Sequence, residues 1–137
     1  MKKHTIALSL ILTLGAALAQ AGETKVILTG AEETPAVTTS ASGNGAITVA
    51  EGAGHAVSGG ITTKDVQGTA AHIHLAAVGK NGPPVITLSK TADNTWAVPA
   101  GATLNDEQYA SYLAGNLYIN VHSADHKPGE IRGQLRP

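Results

Sequence analysis

The chain is predicted to be all-β, an antiparallel sandwich or Greek-key barrel with one short helix, and three observations carry that expectation. From Lys25 onward, short apolar or alternating runs are broken by Gly, Pro, Asn and Asp. Only one stretch carries helix-capping chemistry, and no fixed-period repeat competes with a single many-stranded domain. With Cys 0, Trp 1, Tyr 3 and Phe 0, the core must be built from Val, Ile, Leu and Ala, without disulfide support.

Val26-Ile27-Leu28 opens the series and ends at Thr29-Gly30. Glu32 to Val37 reads as an irregular edge segment, because Pro35 has no N–H to give a ladder. Gly45 to Val49 and His55 to Ile61 follow as strands, the paired glycines at 59 and 60 marking a bulge or close packing. Thr69 to Ala77 is the central strand: Ala71, Ile73 and Leu75 share one face and His72 and His74 the other, by the two-residue period. Gly79 to Pro84 is a turn by composition, Val85 to Leu88 a strand, and Thr95 to Val98 a short one. Asn105 can cap a helix, with Asp106 and Glu107 in its first turn, Gln108 as capping-box partner and Gly115 as the stop. Leu117, Ile119 and Val121 then alternate with Tyr118, Asn120 and His122, and after a loop Ile131 and Leu135 alternate with Glu130, Arg132 and Gln134, a hairpin with a long connection.

Residues 1–21 read as a secretory signal peptide: a basic start at Lys2-Lys3, an apolar run from Thr5 to Ala19, and small residues for cleavage after Ala19 or Ala21. The apolar run is shorter than the roughly 20 residues of a bilayer span, so the mature form, 22–137, is expected to be one secreted or periplasmic domain without a membrane span. The formal net charge of −1 grows more negative once Lys2 and Lys3 are lost. With no basic patch and no aromatic platform, nucleic acid is excluded as a partner. There is no cysteine nucleophile, no Gly-x-Ser-x-Gly elbow and no phosphate-loop lysine. Glu32 and Glu33 are adjacent, face opposite ways on an extended chain, and make a poor acid–base pair.

Ala71-His72-Ile73-His74, Asn81-Gly82-Pro83-Pro84-Val85, Leu117 to Ser123 and Pro128 to Leu135, with Glu33 to Val37 and Ser42-Gly43 before them, together resemble the chordin-type CHRD domain from about Lys25 to Arg136. The resemblance implies an immunoglobulin-like or Greek-key antiparallel β-sandwich. In chordin such domains sit in an extracellular antagonist of growth factors, a role that does not transfer to a small stand-alone chain.

The pointed chemistry lies in the histidines. Residues two apart on a strand have Cα atoms about 6.6 Å apart, since strands rise ~3.3 Å per residue. His72 and His74 can therefore share an ion, with His122 from a paired strand as third ligand and His126 as a fourth. Imidazoles without thiolate suit copper, with zinc as the second choice. An open position on three histidines would admit water or a small oxidant. The His-Ile-His step is similar to the His-x-His of copper–zinc superoxide dismutase, although this chain lacks that enzyme's disulfide and zinc loop. A copper-only dismutase is the enzyme reading, with Arg132 drawing in the superoxide anion and Glu130 pairing with Arg132 or orienting a histidine. The alternative is a non-enzymatic extracellular interaction module, its partner unspecified, in which the histidines are polar residues of a solvated sheet face, Asn120 and His122 hold register, and Glu130–Arg132 is an ordinary ion pair.

Overall fold

The computed structural model describes residues 22–137; the expected leader, 1–21, lies outside the described residues. Nine antiparallel strands and one helix follow in the order β1 (Gly22–Thr29), β2 (Ser42–Val49), β3 (Val57–Lys64), β4 (Gly68–Leu75), β5 (Pro84–Thr87), β6 (Ser89–Ala92), β7 (Thr95–Ala97), α1 (Asp106–Leu113), β8 (Leu117–Ser123) and β9 (Ile131–Leu135). They form one sheet in the order β5-β4-β8-β9-β1-β2-β3-β7-β6. The all-β expectation and its single helix hold. The sandwich arises by curling: Leu88 N–H, between β5 and β6, bonds Ala71 O of β4. The run 84–92 thus pairs with β4 through its first half and with β7 through its second, so the sheet nearly closes.

The curl follows from patterning. Along β1, Thr24, Val26 and Leu28 are buried while Glu23, Lys25 and Ile27 face out. Val26, Leu28, Ile47, Ile61, Ile73, Trp96, Ile119, Val121 and Ile131 belong to one core, drawn from both halves of the sheet. At about 25 cal/mol per Å² of apolar surface, burying such side chains is the main stabilising term available to a chain without disulfides. β8 and β9 are buried almost throughout, because loops cover their outer face as well.

Two local expectations need adjustment. The strand expected from His55 begins at Val57, since His55 turns at φ +40° and Ala56 makes only a single bridge to Thr103. β6 was not foreseen; its four residues are all exposed and carry no apolar pattern. The Glu32–Val37 edge is irregular, as expected, and begins with a 3-10 turn at Gly30–Glu32. Gly59 shows why the paired glycines are needed: φ is +111° and a Cβ there would collide with Ala46 O.

The helix has its capping box. Asn105 Oδ1 accepts from Gln108 N–H at 2.7 Å, and Gln108 Oε1 accepts from Asn105 N–H at 2.9 Å. Gly115 at φ +79° ends it. Among the described residues no helix is long and apolar enough to cross a membrane. Replacing Asn105 by Ala should cost about 1 kcal/mol, read as a lowered urea midpoint at unchanged slope.

Candidate metal centre

β4 and β8 pair with Ala70 opposite His122, His72 opposite Asn120 and His74 opposite Tyr118. That register puts His72, His74 and His122 on one face, turned away from Ala71 and Ile73 in the core. Each offers a ring nitrogen, and these three atoms lie within 4.8 Å of one another. Ring centroids are 5.4 Å apart for His72–His74, 5.0 Å for His72–His122 and 5.8 Å for His74–His122. The structure therefore brings together three of the four expected ligands.

Backbone carbonyls decide which nitrogen each ring presents. A carbonyl oxygen only accepts, so the 2.9 Å contact with Gly82 O makes His74 Nδ1 the protonated nitrogen. Lys127 O, 2.7 Å from His122 Nδ1, does the same there. Both rings in their neutral form then present an Nε2 lone pair. His72 Nδ1–H donates to His122 Nε2 at 3.1 Å. His74 Nε2 is buried and has no hydrogen-bond partner. An unpartnered buried lone pair costs free energy, on the order of 1–3 kcal/mol, and a cation would satisfy it. For the cation to take all three rings, His72 must give up its bond to His122 and so free His122 Nε2.

Burial disfavours the protonated form of two of the rings. Burial lowers the pKa of His72 below its usual value, and His122 and His74 reinforce the effect. Burial likewise lowers that of His74; the Gly82 hydrogen bond opposes this and His122 adds to it. Metal binding requires neutral imidazole.

Arg132 is placed otherwise than an anion guide requires. It is 1% exposed. Its guanidinium lies 3.5 Å over the Tyr118 ring and donates to Lys80 O (2.8 Å), Ala77 O (3.1 Å) and Gln134 Oε1 (3.0 Å). It acts instead on the loop of residues 76–83, which carries Gly82. Tyr118 stacks on His74 at 4.9 Å and its hydroxyl accepts from Gly82 N–H, so one turn fixes both rings. Glu130 neither pairs with Arg132 nor touches a ligand ring: it accepts from Thr39 and Ser123 hydroxyls at 2.8 Å each. The His126 ring is not in the ligand group; the residue shapes the loop through its backbone, with N–H on Ser123 Oγ and O accepting from Gly129 N–H. His55 is engaged elsewhere, with Asp106, Ala50 O and the Tyr109 ring.

Two residues near the cluster escaped sequence reasoning. Glu33, from the irregular segment after β1, is 6% exposed. Burial drives its pKa from 4.5 to about 7, against the opposing influence of Asn120 and Arg132. Asn120 is buried at 2% exposure and bonds Pro128 O through Nδ2 at 3.2 Å. The signal available for Asn120 was its place on the histidine face; for Glu33 there was none, because its burial is made by loops.

The CHRD domain family model matches residues 24–135. No curated protein and no solved structure matches the chain.

The folded chain binds the Glu33 proton more tightly than the unfolded one. Its contribution to stability is therefore full below about pH 4.5 and is lost as pH rises through about 7. The variant Glu33→Gln lacks this dependence, while the histidine contributions are common to both chains. The melting temperature of the unsubstituted protein should fall relative to the variant between pH 5 and pH 8; parallel curves would refute the assignment.

Proposed function

The chain belongs to the CHRD domain family, and from that premise we propose that it is an exported extracellular or periplasmic β-domain that holds a copper ion on His72, His74 and His122. The observation that carries the reading is the buried, unpartnered His74 Nε2 inside a group of three imidazoles whose other nitrogens are occupied by backbone carbonyls at His74 and His122. Such carbonyl partners orient ligand histidines and raise their basicity. An all-nitrogen set without thiolate favours copper over zinc, and both over calcium or magnesium.

A copper ion bound there would supply one-electron chemistry, and removal of superoxide is the enzymatic form of the proposal. His72 and His122 are only partly buried, which leaves one side of the site open to a small molecule. No Arg132 guidance enters this reading, because that guanidinium is committed to loop carbonyls. The interaction-module reading draws on a different observation: His72 and His122 already bond each other and so need no ion to be satisfied at those two atoms.

Tag-free protein stripped of metal and titrated with copper distinguishes the two. The unsubstituted chain should retain about one equivalent after desalting, and the double variant His72→Ala/His74→Ala should retain none above background. Equal content in both would eliminate the site. Affinity should hold to lower pH than free imidazole allows and then fall as His72 and His74 protonate, because both pKa values are lowered from 6.5. Superoxide consumption by copper-loaded protein no faster than by the same concentration of free copper would restrict the function to metal holding.

A further inference from the structure

Three buried side-chain atoms in this layer have no hydrogen-bond partner: His74 Nε2, Asn120 Oδ1 and Glu33 Oε1. The first two belong to the histidine face, and all three residues are more than nine-tenths buried. The Asn120 amide cannot rotate to relieve this. Its Nδ2 donates to Pro128 O, a carbonyl that only accepts, so the amide oxygen must point away from the 124–130 loop. Asn120 stands directly opposite His72 in the β4–β8 register and two residues before His122, on the face that carries the three rings. On that face it is also the diagonal cross-strand neighbour of His74, whose direct partner is Tyr118.

A proton on His74 Nε2 would satisfy both atoms of that face only by making the ring a buried imidazolium, because Nδ1 already carries the proton that faces Gly82 O. A metal cation would take both lone pairs at once. We propose that Asn120 Oδ1 is the fourth donor to the cation held by His72, His74 and His122, an oxygen completing a three-nitrogen set. The proposal rests on the copper reading above and names a ligand that reading does not contain. The glycine at 129 has φ +135°, and a Cβ there would collide with both Asn120 Nδ2 and Glu33 Oε1. Glu33 Oε1, buried without a hydrogen-bond partner, therefore lies near the nitrogen end of the amide. Gly129 is the gap that lets the two side chains meet.

The test uses copper titration and the electron paramagnetic resonance spectrum of the Cu(II)-loaded full chain. Asn120→Ala should weaken copper binding by about tenfold or more and change the parallel hyperfine splitting. Asn120→Asp gives the sign that separates ligand from scaffold. An aspartate loses the bond to Pro128 O, so a structural role would leave binding unchanged or weaker. A ligand role places a charged oxygen on the cation and should tighten binding, with a shifted spectrum. Circular dichroism checks that both variants fold, and the aspartate variant keeps the side-chain shape if the alanine variant does not. Copper binding by the unsubstituted chain with affinity and spectrum unchanged in both variants would overturn the fourth-donor assignment alone. Failure of the unsubstituted chain to bind copper would overturn this assignment and the proposed function together.

Discussion

The outer face of β4, β8 and β9 depends on one buried charge. Arg132 has almost no solvent contact, and burying a guanidinium is expensive unless its N–H groups are partnered. Here the partners are carbonyls of the 76–83 loop, the amide of Gln134 and the face of Tyr118. Gln134 extends the arrangement by donating to Ala76 O and Gly115 O. The loop is thus tied to the sheet by a polar side chain where an apolar one would supply no direction. Because the same loop presents Gly82 O to His74, the orientation of a candidate ligand traces back through that loop to Arg132. Removing one member of such a buried set typically costs several kcal/mol, since the others are left unpaired.

The molecule accordingly has two interiors. Inside the curled sheet lies an aliphatic core of the kind the composition requires. Outside β4, β8 and β9, beneath three loops, lies a polar layer containing the histidines, Asn120, Glu33, Arg132 and Gln134. The groups in this layer push their neighbours in opposite electrostatic directions. Burial lowers the pKa of His72 and His74 and raises that of Glu33 to about 7, so desolvation pushes each of the three toward its neutral form. Arg132 places a guanidinium in the same layer.

What could be read from the chain alone tracks what period and capping control. Alternation at 71–75 separates Ile73 from His72 and His74, and the structure keeps that separation. The Asn105–Gln108 box is local chemistry and forms as local chemistry dictates. The β8–β9 hairpin follows from the alternation on both its arms. What escaped was decided by loops. No pattern in Glu33 to Val37 reports that the carboxylate folds under the 124–130 loop. Arg132 alternates as an exposed residue would, and only the loop returning over it makes it a buried one. His126 lies in the β8–β9 loop outside the three-imidazole group, and its backbone helps close the turn that gives Lys127 O to His122. Side-chain type was a good guide to which face could carry chemistry and a poor guide to which groups on that face remain free.

The partner switch at Leu88 has a bearing on how the sheet ends. A sheet with open margins can recruit further chains by adding strands, and a chain without cysteine cross-links has no covalent brake on that process. By pairing one half of residues 84–92 with β4 and the other half with β7, the fold ends its sheet in two strands of four residues each, one of which starts at a proline. Proline cannot donate at a growing edge. The kink that completes the wall of the domain thereby also limits its capacity to polymerise through edge-to-edge addition.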